Sequence, residues 1–270
     1  MPAALRLIHP APAAAVVALS AALAVILARQ TGQPVDGRVA LTVLSVAGSQ
    51  VATGAFNDWA DRARDTGLRP EKPIPAGQLT ASAAVAIGTA GLIVQLVSSA
   101  FLGPLPLLLG AIAVGSALLY DVALSRTPLS VLPYLVSFGL LPAWIASGIG
   151  VPLERVLGAM LLVAPFAAAA HLANALRDFP IDEAGSSHNL AQLLGRTASH
   201  RLAVGLALGV GLGSAVAFAV GDRLLPASAL LGALGLGAVG IGATAGSRLW
   251  PAMLVAAVCW TIAWALATGG

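Results

Sequence analysis

Asn57, Asp58, Asp61 and Asp65 stand at relative positions 0, 1, 4 and 8. Asn174, Asp178 and Asp182 repeat the 0, 4, 8 spacing 117 residues later. On a helix each set forms one stripe of amide and carboxylate oxygens, with Asp58 beside the first. Like charges one turn apart repel, and the edge of a membrane adds a desolvation cost, so both stripes call for cations between them. Oxygen-only donors without convergent His or Cys suit Mg²⁺ rather than Zn²⁺. Mg²⁺ takes a few carboxylates and completes its octahedron with water and phosphate oxygens. The expected metal ligands are therefore Asn57, Asp58, Asp61, Asp65, Asn174, Asp178 and Asp182. Arg69, Lys72 and Arg177 lie beside these acids, placed to grip a phosphate.

The clustering matters because acids are scarce. Seven of the eleven acidic residues, Asp58, Asp61, Asp65, Glu71, Asp178, Asp182 and Glu183, fall in these two stretches. The whole sequence is 58% hydrophobic and only 9% charged. The segment Arg69-Pro70-Glu71-Lys72-Pro73-Ile74-Pro75-Ala76-Gly77 follows the first stripe, and its three prolines predict an extended, stiff connection that holds Arg69 and Lys72 over the site.

What positions these residues is a set of apolar helices. Mean hydropathy is +0.91, and runs long enough to cross a bilayer recur throughout. Nine spans are expected: Ala13 to Leu27, Val39 to Phe56, Ala81 to Phe101, Leu105 to Val122, Val131 to Gly148, Val156 to Asn174, Leu202 to Val220, Leu224 to Ala245 and Pro251 to Ala267. The fold class is all-α, a polytopic membrane bundle, and residues 1–270 read as a single transmembrane domain with short loops. The first apolar run, behind Arg6, is too long for a signal peptide and is followed by more of its kind, so it reads as the first helix. Cys259 is the one cysteine and excludes an intramolecular disulfide. Gly205, Gly209 and Gly213, and Gly242 and Gly246, recur at four-residue steps that let helices approach closely.

The formal charge of +3 does not indicate nucleic acid, because the basic residues are scattered over loops. They report orientation instead. Arg6, Arg62, Arg64, Arg69, Lys72, Arg126, Arg177, Arg196, Arg201 and Arg248 fall on the N-terminal side; only Arg29, Arg38, Arg155 and Arg223 fall opposite. The positive-inside rule then makes the N-terminus and both acidic stripes cytoplasmic.

The Asn57–Asp65 string, the Arg69–Gly77 loop and the Asp178-x-x-x-Asp182 string together resemble the UbiA-type intramembrane prenyltransferases over essentially the whole chain. The resemblance implies nine transmembrane helices around a central cavity capped by cytoplasmic loops. It implies Mg²⁺-dependent transfer of an isoprenyl group from its diphosphate to a lipophilic or aromatic acceptor within the membrane. By it, Asp58, Asp61, Asp178 and Asp182 are the catalytic acids, and Arg69, Lys72, Arg177, Tyr120 and Arg126 bind substrate. Tyr120 and Arg126 depart from the commonest spacing of that pair, and Gly185–Ala191 lacks the basic and Thr-Leu-Pro residues many members carry, which leaves the subfamily open. His9, before Pro10, reads as a helix cap, and His171 as packing within its span.

Two reactions on the same fold compete: cyclisation of a terpene, and transfer of phosphoribose to a polyprenyl phosphate. An aromatic content of 5% argues against the cyclase. A cation-coupled transporter is a different class, disfavoured because the acids gather at one face and not at the midplane. The Asp-Gly-x-x-Ala-Arg signature of the CDP-alcohol phosphotransferases is missing.

Overall fold

The structure is a computed structural model that describes residues 1–221, 225–244 and 248–268. Lipid offers no hydrogen-bond partner to a peptide group, so apolar segments close their backbone bonds internally as helices. Helices α1 (Ala3–Leu7), α2 (Pro10–Gln30), α3 (Gly37–Leu68), α4 (Ala81–Leu102), α5 (Pro104–Leu119), α6 (Leu132–Gly148), α7 (Leu157–Arg177), α8 (Phe179–Ala184), α9 (Leu190–Val220), α10 (Pro226–Thr244) and α11 (Leu249–Thr268) make up the fold. Among the described residues eight helical stretches are long and apolar enough to cross a membrane, α5 counting with the turn that carries it on to Leu124, and α11 adds a shorter apolar stretch over Leu249–Trp264. The protein is an integral membrane protein. Phe101, Leu161, Val220 and Leu230 are more than 60% exposed, as an outer surface facing acyl chains allows.

Local chemistry sets the helix ends. Pro10 and Pro104 occupy first-turn positions where no N–H is needed. The side chains of Asp36, Thr80 and Asn189 accept hydrogen bonds from the first-turn N–H groups of Arg38, Ala83 and Gln192. Gly103, at φ +129°, separates α4 from α5 in a conformation that a Cβ disfavours. Helix α9 is bent at Gly195, so its apolar span begins well inside it.

Helix α3 runs 32 residues, about 48 Å at 1.5 Å per residue, against a hydrocarbon core about 30 Å thick. Its last three turns, which begin at Asn57, therefore stand beyond the apolar layer. The span expected to stop at Phe56 instead continues as helix to Leu68, which keeps the first acid stripe on a rigid rod.

Helices α3 and α4 pack backbone to backbone. A Cβ placed on Gly48 would sit 2.7 Å from the Gly91 carbonyl oxygen, and one on Gly91 2.7 Å from the Ala52 nitrogen. The expected glycine seam on α9 lies elsewhere. Gly205 and Gly209 have open space in front of them, while Gly211, on another face of the same helix, packs on Trp260. A four-residue step marks a face without saying which neighbour it meets. Gly242 does pack closely, on Ala252 and Leu249. Arg223, Gly246 and the expected span ends Leu224 and Ala245 lie outside the described residues.

Helices α2, α3, α5, α6, α7, α9 and α11 enclose a cavity of about 730 Å³. His9, Asn57, Tyr120, Asn174 and Arg177 line it at one end, and the remainder is mainly apolar, with Ser20, Gln50, Thr53 and Thr261 among the few polar side chains.

Candidate active site

The first acid stripe is held by the end of α3 and the loop that follows. Asp58 and Asp65 are 2% and 1% exposed. Both face Lys72, whose Nζ lies 2.8 Å from Asp58 Oδ1 and 2.8 Å from Asp65 Oδ2. Among the described residues Asp65 Oδ1 has no hydrogen-bond partner. Burial works against the Lys72 charge, but the two carboxylates overcome it and hold its pKa above the usual lysine value.

The loop from Arg69 to Leu79 is not extended. It folds as successive turns, with Lys72 N–H donating to the Arg69 carbonyl, Ala76 N–H to Lys72 and Gln78 N–H to Pro73. Proline fixes φ near −65°, a value that turns use as readily as extended chain, and Gly77 at φ +68° supplies the left-handed position. Ile74 and Leu79 of this loop pack with Leu7, Ala55 and Ala84, and Arg6 donates to the Glu71 carbonyl at 2.7 Å. The N-terminal helix thus clamps the loop that carries Lys72.

The second stripe is broken in the middle. Helix α7 ends at Arg177, Asp178 sits at the break, and Pro180 lies in the first turn of α8. The expected single helical row over Asn174, Asp178 and Asp182 is therefore two short pieces, because a proline cannot continue the helix above it. Arg177 donates to Asp178 at 3.2 and 3.3 Å. Arg69 Nη2 approaches the same carboxylate at 3.0 Å. Burial alone would raise the Asp178 pKa, but Arg177 and Arg69 reverse this and hold it below the ordinary value. Asp182 behaves oppositely: burial raises it, and Arg64 and the Asn189 amide, 2.9 Å away, offset only part.

The two stripes meet. Arg64 lies 2.7 Å from Asp61 and 3.9 Å from Asp182, and Arg69 reaches from the first loop to Asp178. Of the expected substrate-binding residues, Arg177 lines the cavity with its guanidinium 5.0 Å above the Trp250 ring. Tyr120 lines it too, edge-on to Tyr134 at 5.3 Å. Arg126 instead donates to the Gly185 carbonyl at 3.1 Å and ties down the loop after α8. His9 stands at the helix cap position but makes no capping bond; its Nε2 lies 3.2 Å from Asp58. His171 bonds Ser130 at 3.1 Å in the interior.

Sequence reasoning missed Arg64 as the link between stripes, and it missed Asp121. Asp121 sits in a π-turn over Tyr120–Leu124, 9% exposed, with Oδ1 accepting from Asn57 Nδ2 at 3.0 Å and Oδ2 unpartnered among the described residues. An acid at the end of an apolar span, next to a tyrosine already singled out, was the available signal.

Among the described residues no three acidic, His or Cys side chains converge closely enough to hold a metal ion in the present rotamers, with Lys72 and Arg64 standing between the acids. The donor set nevertheless fits a hard divalent cation: all oxygen, with the buried Asp65 Oδ1 left without a donor among the described residues.

The fold is shared with solved structures at low identity. A structure from work on digeranylgeranylglyceryl phosphate synthase matches with a TM-score of 0.74 at 15% identity, covering 99% of this chain and 98% of that one. A UbiA homologue from Archaeoglobus fulgidus bound to GPP and Mg²⁺ matches at 0.74 and 17%, covering 99% of each chain. A UbiA homologue from Aeropyrum pernix K1 matches at 0.73 and 20%, covering 92% of this chain and 94% of that one. A search of curated protein sequences found no match. The UbiA prenyltransferase family profile matches residues 17–242, and the chain belongs to that family.

Proposed function

We propose that this protein transfers an isoprenyl group from an isoprenyl diphosphate to a lipophilic or aromatic acceptor, at the cytoplasmic mouth of its cavity. The observation that carries this reading is that two acid stripes, cross-linked through Arg64 and Arg69, adjoin a mainly apolar cavity of about 730 Å³ that Asn57, Asn174 and Arg177 line. A polyanionic head and a long hydrocarbon tail fit that division. The GPP and Mg²⁺ bound by the Archaeoglobus fulgidus homologue support the choice of head and tail.

Asn57, Asp58, Asp61, Asp65, Asn174, Asp178 and Asp182 would hold Mg²⁺, which when bound neutralises charge on the diphosphate. Arg69, Lys72 and Arg177 bind the diphosphate oxygens and stabilise the negative charge that grows as the carbon–oxygen bond breaks. Tyr120 and Tyr134 present ring faces and edges next to the mouth, where the allylic cation forms. The apolar walls exclude water, so the cation is captured by the acceptor and not hydrolysed.

One observation favours a second reading. Aromatic residues are few in the chain, yet Tyr120, Tyr134, Phe138, Trp144, Phe166, Trp250, Trp260 and Trp264 all line the cavity. The low overall content therefore does not argue against cyclisation, because the average hides this concentration. Incubating the purified protein with Mg²⁺ and a panel of isoprenyl diphosphates, with and without membrane extract, separates the two. Pyrophosphate release that requires extract and gives a heavier prenylated product supports transfer. Release without an acceptor supports cyclisation, and no release from any donor would sink both.

A further inference from the structure

Asp121 belongs to neither acid stripe, yet it is nine-tenths buried, and among the described residues its side chain hydrogen-bonds the residue that opens the first stripe. Its location follows from a widened turn. The Ser125 N–H bonds back to the Tyr120 carbonyl at 2.8 Å, an i to i+5 closure. This lets two consecutive side chains work inward: Tyr120 lines the cavity while Asp121 is buried against Asn57.

The contact has a direction. The Asp121 oxygen that faces Asn57 carries no hydrogen when the acid is ionised, nor when it is protonated at its other oxygen, so it accepts. The Asn57 NH₂ must then be the end that points at Asp121. Asn57 also lines the cavity, and its carbonyl Oδ1 is the end left for that side. An asparagine amide is otherwise nearly symmetric in shape, and the wrong end would present donors to a cation.

We infer that Asp121 is a positioning residue that fixes the Asn57 amide so that its carbonyl oxygen, and not its NH₂, is offered to a divalent cation. The inference rests on the metal-site reading of Asn57 given above. It makes Asp121 an outer partner of the kind that orients a ligand without touching the metal, where loss costs roughly 10–100-fold in affinity.

The test is a titration of the purified, detergent-solubilised protein with Mn²⁺ alone, read by the loss of the free-ion EPR signal and without substrate. Asp121→Ala frees the Asn57 amide to rotate and should weaken Mn²⁺ by about tenfold or more. Asp121→Asn keeps an acceptor oxygen at the same place and should stay within about threefold of the parent. In an Asn57→Ala background, Asp121→Ala should add less than about a twofold loss, because its effect runs through Asn57. Unchanged affinity in Asp121→Ala overturns the inference. So does an Asp121→Asn variant as weak as Asp121→Ala, which would mean that the charge itself binds, and so does full additivity with Asn57→Ala. Asp121→Asn is nearly isosteric and decides the matter if the alanine variant fails to fold: a tenfold loss in it refutes positioning by an acceptor. If the parent protein itself takes up no Mn²⁺, the metal-site reading falls and this inference with it, an outcome distinct from a parent that binds and variants that do not differ.

Discussion

Lys72 is the best single place to test whether the acid stripes are held as described. Its ammonium bridges Asp58 and Asp65 at 2.8 Å each, with the lysine side chain 13% exposed and the two acids almost wholly buried. Replacing it with Met keeps much of the stem and removes the charge. Breaking a buried ion pair by deleting one partner costs about 3–5 kcal/mol, because the remaining charge is left in a poor solvent. His9 stays 3.2 Å from Asp58, so the lower end applies, about 3 kcal/mol. For a chain of this size that corresponds to a melting temperature lower by about 6–12 °C in chelator. Adding Mg²⁺ should raise the melting temperature of Lys72→Met by more than that of the parent, since the bared carboxylates regain a counter-charge. The pH dependence has a definite sign. The Lys72 pKa is raised in the folded protein, so the stability it contributes is fully present below the ordinary value of 10.5 and is lost as pH climbs through the raised one. The gap between parent and variant should stay flat across neutral pH and narrow only in strong alkali. Thermal unfolding in detergent, followed by intrinsic fluorescence with chelator or Mg²⁺, measures all three. An unchanged melting temperature in chelator, or equal Mg²⁺ shifts in the two proteins, would refute the argument.

Four other outcomes are expected. Asp61→Ala and Asp178→Ala should each lower the rate of pyrophosphate release by at least about a hundredfold while the melting temperature in chelator stays within a few degrees of the parent; full activity in either removes it from the site. Gly91→Leu should destabilise the protein by more than the roughly 1–3 kcal/mol usual for overpacking, because the clash is with the backbone of α3, and its yield as folded protein after detergent extraction reports this. Ser20→Trp places a large ring in the cavity wall about 16 Å along α2 from His9, so donors with long prenyl tails should lose at least tenfold in turnover relative to the shortest donor in a competition assay. Arg64→Ala cuts the link between Asp61 and Asp182 and should weaken diphosphate binding, measured with a non-hydrolysable donor analogue, more than it changes the melting temperature.

The parts of the fold that a sequence exposes are those set by local rules, and here the local rules are strong. A run of about twenty apolar residues can only be a helix in lipid, so the nine expected spans and the Gly103–Pro104 break between the third and fourth were readable directly. The same logic located the acids at span ends, since carboxylates inside an apolar run would be too costly. It failed wherever a choice depended on a distant neighbour. Three prolines suggested an extended loop after α3, but the loop coils because Ile74 and Leu79 find an apolar partner in Leu7, sixty and more residues away in sequence. The regular Asn174, Asp178, Asp182 spacing suggested one helical row, and Pro180 broke it, although the acids still converge because Arg69 and Arg64 reach across from α3 and its loop. Arg64, which looked like a marker of orientation, thus turns out to join the stripes together with Arg69, which was expected beside the acids. Asp121 carries the same lesson furthest: its spacing matches no motif, and only the packing of the α5 end against α3 gives it a partner. A residue acquires a role in this site by the side chain it meets across the bundle, and the pattern along the chain finds it only when local spacing and long-range contact agree.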